Sequence, residues 1–105
     1  MNSYRDVLLF LLAEATFDVA QKCQASARAG TNQAAACAAA CAVPPLAIDS
    51  PPEVLEAWNR TGTEHLAALH AWDRAGREAR DALAAANWLR GKLGLPPVEV
   101  EGAKP

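Results

Sequence analysis

Alanine makes up 25 of the 105 residues, and this excess constrains the fold more than any other feature of the sequence. Alanine loses no side-chain entropy on entering a helix, whereas strands favour β-branched and aromatic residues. Threonine, isoleucine and valine are scarce, and no stretch alternates cleanly between apolar and polar residues. The sequence therefore predicts an all-α fold without a sheet.

Large side chains have to supply the core, because alanine buries little surface. Besides the leucines, they are the six aromatic residues Tyr4, Phe10, Phe17, Trp58, Trp72 and Trp88. A chain of this length is expected to form one domain. We predict a single helical domain over residues 1–97 and a flexible C-terminal tail over residues 98–105, which carries no packing pattern.

Capping residues and glycines predict where the first helices begin and end. Ser3 and Asp6 resemble a capping box at the start of a helix from about Tyr4 to Ala29. Gly30 is expected to end this helix, as glycine often does. An alanine- and cysteine-rich second helix follows over about residues 33–42, and prolines then form a stiff linker.

The second half of the chain carries further boundary signals. Ser50 is the predicted N-cap of a helix that reaches about Arg60 and is interrupted at Gly62. A long last helix from about Glu64 ends before Gly94, and Gly76 is its weak point. These segments predict a small helical bundle of four to five helices, with the first and last helices long and roughly antiparallel.

Charge and hydropathy exclude several classes of protein. The net charge of -2 creates no strong field toward nucleic acid or an anionic membrane. The run of mostly large apolar residues from Val7 to Ala13 is far shorter than the ~20 residues that a bilayer requires. We expect a cytoplasmic protein that binds no cofactor. In that reducing compartment three cysteines are not a disulfide framework.

The three cysteines allow one alternative function. Cys37 and Cys41 lie one helical turn apart, and Cys23 and Cys37 are each seven residues from Gly30. If Gly30 is the apex of a helical hairpin, the three thiols converge, and thiolates bind soft metals. This geometry predicts a thiol-based metal or redox sensor. The other interpretation is that these cysteines pack as small apolar side chains.

A basic cluster on the last helix suggests where a partner binds. Its arginines alternate with acidic residues, a pattern that is typical of a solvent-exposed face. A protein that binds nucleic acid through these arginines is the second alternative function. Trp88 lies off the apolar stripe of this helix, as Phe10 does on the first helix; either both belong to the core or one of them is an exposed interface anchor. The predicted partner-binding residues are Arg74, Arg77, Arg80, Trp88 and Arg90.

No catalytic constellation is found in the sequence. His65 and His70 lie about 140° apart around a helix, so they do not form a metal-binding pair. We therefore predict a non-enzymatic protein of the adaptor or inhibitor type, for example a phage-encoded inhibitor of a host defence complex such as an anti-CRISPR. Its expected partner is another protein or a nucleoprotein complex, and neither a membrane nor a small-molecule substrate.

Overall fold

The computed structural model describes residues 3–100 of the chain. Over these residues the protein forms two α-helices, α1 (Tyr4–Cys41) and α2 (Pro52–Lys92), and no strand. The predicted all-α class is confirmed. The predicted bundle of four to five helices is wrong, because the segments expected to be separate helices merge into two long ones.

The chain divides into two compact units, each built from one segment of α1 and one segment of α2. The first unit combines the residues up to Ala27 with those from Arg74 onward, and the second comprises Arg28–Asp73. The predicted boundary between domain and tail, after residue 97, lies within the first unit. Residues 101–105 of the predicted tail lie outside the described residues.

Gly30 does not end α1, which continues through it to Cys41. Within the second unit, the Trp72 indole Nε1 lies 3.1 Å from the position that a Cβ at residue 30 would occupy. Glycine in a helix interior costs only about 1 kcal/mol relative to alanine, and the alanine-rich residues that follow favour helix. The missing side chain therefore gives Trp72 room beside α1, and it does not create a turn.

Helix α2 also continues through the glycines that were predicted to interrupt it. Thr61, directly before the expected interruption at Gly62, donates its hydroxyl to the carbonyl oxygen of Ala57 at 2.7 Å, as threonine does inside a helix. Gly76 is buried within α2 and does not interrupt the helix. A single glycine weakens a helix, whereas proline lacks the donor that the helix needs. The prolines between α1 and α2 accordingly mark the one interruption between residues 4 and 92.

The outer helix ends follow the predicted capping. The backbone N–H of Asp6 donates to Ser3 Oγ at 3.1 Å, and the N–H of Ser3 donates to Asp6 Oδ2 at 3.3 Å, which completes a capping box. Gly94 has a φ of 75°, and the N–H of Leu95 donates to the carbonyl of Arg90 at 2.8 Å. This hydrogen bond across a left-handed glycine is the Schellman motif, so both predictions are confirmed.

The predicted cap at Ser50 is wrong. Ser50 Oγ accepts a hydrogen bond from the N–H of Ala47 at 2.7 Å, so the side chain closes the turn that precedes the helix. The first helical hydrogen bond beyond it runs from the N–H of Val54 to the carbonyl of Pro51 at 3.0 Å. The linker and the helix end compete for Ser50 Oγ as a hydrogen-bond acceptor, and here the oxygen accepts from the linker.

The core of the first unit is narrow. On α1, Leu8 and Leu12 cluster with Leu89 of α2, and Val19 further along clusters with two alanines of α2. Because residue numbers rise along α1 as they fall along α2, the two segments run antiparallel. The buried face of α2 consists mainly of small residues, namely Gly76, Ala79, Ala82 and Ala86, with Leu89 at its end.

Two glycine substitutions test this description of the helices. No atom lies within 4 Å of a Cβ built at Gly62, so Gly62→Ala should raise the free energy of unfolding by about 0.5–1 kcal/mol through helix propensity. Gly30→Ala should gain less, because the new methyl group must displace the Trp72 indole. Urea denaturation followed by circular dichroism measures both values. Equal stabilisation by the two substitutions would contradict the contact between Gly30 and Trp72.

Candidate functional site

The predicted arginine cluster does not form one continuous face. Arg74 and Arg77 are exposed, whereas Arg80 and Arg90 are half-buried. The Arg80 guanidinium folds back along its own helix, with Nη1 3.3 Å from the position of a Cβ at Gly76. Arg90 donates from Nε to the carbonyl oxygen of Pro96 at 2.7 Å. Arg80 and Arg90 thus point to atoms of their own chain.

Trp88 is 60% exposed and borders a groove in the first unit. The ammonium group of Lys92, one turn further along α2, lies 5.2 Å from the centre of its ring, a cation–π contact. The floor of the groove is apolar and its α1 side carries two exposed carboxylates; the lining residues are Leu11, Glu14, Ala15, Asp18, Ala85, Trp88 and Leu89. We call this feature the Trp88 groove.

The segment that follows α2 is held against it by the side chain of Asn87. The Asn87 amide donates to the carbonyl of Val98 at 3.0 Å and accepts from the N–H of Val98 at 2.9 Å. Together with Arg90, this pairing holds residues 96–98 beside α2. The sequence analysis did not identify Asn87. The only feature of the sequence that points to it is the poor helix propensity of asparagine among alanines.

A second groove of the first unit, about 310 Å³ in volume, lies where this C-terminal segment meets the helices. Val98 and Val100 form part of its wall, together with Val19, Cys23 and Leu83. The C-terminal segment thus forms one side of this groove. It gives Cys23 an apolar, half-buried setting in which the thiol packs as a small side chain.

The three cysteines are not gathered into one site. Cys23 lies in the first unit and Cys37 in the second, 14 residues further along the continuous helix α1. The predicted hairpin at Gly30, which would have placed them together, is absent from α1. Among residues 3–100, no group of three or more His, Cys, Asp or Glu side chains is placed to hold a metal ion.

Cys37 and Cys41 remain a pair on consecutive turns of α1. A hydrogen bond with Cys41, together with the charge of that neighbouring thiol, raises the pKa of Cys37 above its ordinary value. A raised pKa reduces the fraction of reactive thiolate at neutral pH. Cys41 is exposed and Cys37 is half-buried, so the two thiols differ in access as well.

Removing Cys41 should therefore activate Cys37. In a Cys23→Ser background, Cys41→Ala deletes the hydrogen bond and the charge that raise the pKa of Cys37. We expect the midpoint of its alkylation rate by iodoacetamide to move to lower pH, with faster labelling at pH 7.5–8. Peptide mass spectrometry follows Cys37 in both proteins. An unchanged midpoint would show that Cys41 does not control this thiol.

His65 and His70 differ in their surroundings as well as in their angular position around the helix. In the second unit, His65 is half-buried and its Nε2 lies 3.3 Å from Gln33 Nε2, a hydrogen bond in which the amide donates to the ring nitrogen. His70 is exposed. His65 therefore links α2 to α1 within that unit, a role that the sequence did not indicate.

All six aromatic side chains of the protein, which lie within residues 3–100, are exposed by more than two-fifths of their surface. On α1, Phe10 and Phe17 are 64% and 65% exposed and lie about 180–200° around the helix from buried Leu8. We call the face centred on them the outer face of α1. Between Asp6 and Arg28 its residues are Phe10, Ala13, Glu14, Phe17, Gln21 and Gln24, so Glu14, about 50° from the centre, is its one charged residue.

Comparisons of this chain with protein-family models, with curated proteins and with solved structures found no match. Its class therefore has to be argued from its own residues. Over the described residues, neither α1 nor α2 combines the length and the apolarity that crossing a bilayer requires.

Proposed function

We propose that this protein is a non-enzymatic adaptor or inhibitor that binds another protein through the outer face of α1. The observation that carries the proposal is the exposure of Phe10 and Phe17, seven residues apart, on the side of the helix opposite its core. Monomeric proteins rarely leave large apolar side chains grouped in water without a use. Aromatic residues are also among the commonest anchors of protein interfaces.

The spacing of these side chains indicates the chemistry of the partner. Anchors at positions i, i+3 and i+7 of a helix are typical of a helix that lies in an apolar groove of another protein. Phe10, Ala13 and Phe17 have this spacing, and the small alanine lets the helix approach closely. The partner we propose is therefore a protein with an apolar groove that receives α1.

The apolar run from Val7 to Ala13 supports the same proposal. It surrounds the helix on every side, yet only Leu8 and Leu12 of these residues are buried. A helix that is apolar all round is normally covered all round. Within the first unit α2 covers one side only, which leaves the others for a partner.

A cross-linking experiment tests this proposal. The photoreactive amino acid benzoylphenylalanine replaces Phe10 or Phe17 in one set of samples and exposed Asn59 in the control, in cell lysate with and without nuclease. The proposal requires the same protein to be cross-linked from positions 10 and 17, not from 59, and regardless of nuclease. Loss of the product on nuclease treatment would instead favour a nucleic-acid target and the arginines of α2.

The cross-linked protein is then purified and its affinity measured by calorimetry. Phe10→Ser/Phe17→Ser should weaken binding at least 100-fold, since each buried aromatic anchor contributes about 2 kcal/mol or more. Gln21→Ser/Gln24→Ser, polar changes on the same face, should alter it less than threefold. Because all four positions are exposed, helix content should be unchanged. Equal affinity for both double variants would refute the proposal.

A further inference from the structure

We propose that residues 96–100 form a strap that opens and closes as a unit over the second groove of the first unit, while α1 and α2 stay paired. The structure shows the closed state, in which Val98 and Val100 form one side of this groove. The open state makes the apolar walls of the groove accessible from solvent. The strap involves neither Phe10 nor Phe17, so this inference is independent of the proposed function.

Hydrogen bonds from two side chains of α2 attach the strap. Asn87 pairs with the N–H and the carbonyl of Val98, and Arg90 Nε donates to the carbonyl oxygen of Pro96. These bonds lie at the surface, where water competes for the same groups, so the net contribution of each to stability is small. Residues 95–100 belong to no helix or strand. The attachment is therefore weak enough to break without unfolding the helices.

The contact between the strap and the groove is apolar. Val98 and Val100 line the groove while Glu99 between them is exposed, which is the alternation of an extended chain. Val100 packs against the cluster of Val19 with two alanines of α2. On the α1 wall, the Thr16 hydroxyl already donates to the carbonyl oxygen four residues earlier in its own helix, at 2.7 Å. Opening therefore exposes apolar surface and leaves no polar group of this wall buried without a partner.

The connection between α2 and the strap is suited to act as a hinge. Gly94, with its φ of 75°, ends the helix, and a glycine adopts other φ values without the clash of a Cβ. Pro96 and Pro97 each have a fixed φ, so rotation at Gly94 moves the strap as one piece. The leucine cluster that joins α1 to α2 includes no residue of the strap. The pairing of the two helices is therefore retained when the strap opens.

Amide hydrogen exchange of the full chain, measured by NMR, tests the opening. In the closed state Asn87 protects the N–H of Val98. Val100→Ser removes an apolar contact two residues away and should raise the exchange rate of this N–H about fivefold, because the open state is then more populated. The control Glu99→Ser, at an exposed position, should leave it within about twofold. An unprotected Val98 N–H in the wild type, no change in Val100→Ser, or an equal acceleration at Leu12 of α1 overturns the proposal.

Thiol labelling follows the groove itself. In the full chain with Cys37→Ser/Cys41→Ser, the aromatic disulfide DTNB reports on half-buried Cys23 alone. Asn87→Ala removes two hydrogen bonds to the strap and should raise the labelling rate about tenfold. The matched control Asn59→Ala makes the same exchange at an exposed position of α2 and should leave the rate within about twofold. An Asn87→Ala rate no higher than that of Asn59→Ala overturns the proposal. So does a wild-type rate that rises with urea as steeply as the unfolding constant, because only global unfolding then exposes the thiol.

Discussion

Ala79→Leu should lower the free energy of unfolding by about 2–3 kcal/mol, a large effect for a single added side chain. Ala79 is 0% exposed, the most completely buried of the core residues. It lies in the row of small residues along α2, where Gly76, Ala82 and Ala86 are buried as well. A row of small side chains lets the backbone of a neighbouring helix approach closely, and leucine has no space there.

The matched control is Ala84→Leu, an exposed alanine five residues further along the same helix. Both substitutions exchange alanine for leucine inside α2, so their helix propensities cancel in the comparison. The control should change stability by less than about 0.5 kcal/mol, as surface substitutions usually do. Urea denaturation monitored by circular dichroism gives both values. Similar stabilities for the two variants would mean that Ala79 is not tightly packed.

Local signals predicted the helical class and the outer helix ends. Ser3 with Asp6 and Gly94 with Leu95 act through hydrogen bonds within a few residues, so the sequence contains all the information that these caps need. Ser50 failed as a cap although its signal was equally local. The hydroxyl oxygen of Ser50 instead accepts a hydrogen bond from the N–H of Ala47, which is also a local interaction. Local rules predict reliably where one arrangement of hydrogen bonds is available, and less so where two compete.

The number of helices was wrong because glycine was given too much weight. At about 1 kcal/mol each, Gly30, Gly62 and Gly76 are too weak to end helices that neighbouring segments stabilise. At Gly30 the missing side chain leaves room for the indole of Trp72, 42 residues away in sequence. No periodicity within a window of the sequence reveals such a contact, so the reason for a glycine inside α1 was beyond local prediction.

The prediction of which side chains are buried depended on the number of helices. With four or five helices, Phe10, Phe17 and Trp88 have enough neighbouring helix surface to be buried, and all three were counted toward the core, with Trp88 also considered as an interface anchor. Two helices cover only one side of each other, so these side chains become exposed. The arginine cluster was read from spacing alone. Spacing does not show that Arg80 folds back toward Gly76 or that Arg90 binds Pro96.

Leu12→Ala is expected to lower the free energy of unfolding by about 2–3 kcal/mol, near the lower end of the range for a leucine in a packed core. Leu12 is 9% exposed and clusters with Leu8 and Leu89. This cluster contains few large side chains, so removing one takes away a substantial part of the apolar contact between α1 and α2. The surrounding alanines are too short to fill the space that remains.

Leu9→Ala provides the comparison within the same turn of α1, because Leu9 is 43% exposed and lies about 60° farther around the helix from the buried stripe. Its loss should cost less than about 1 kcal/mol, since much of its surface is already in contact with water. Both variants exchange leucine for alanine inside α1, so the change in helix propensity is the same in each. The difference in their stabilities therefore reports burial alone. Denaturation by urea measures it. A difference below about 0.5 kcal/mol would mean that the narrow cluster of leucines does not hold the first unit together, and that its stability comes instead from a partner or a second copy.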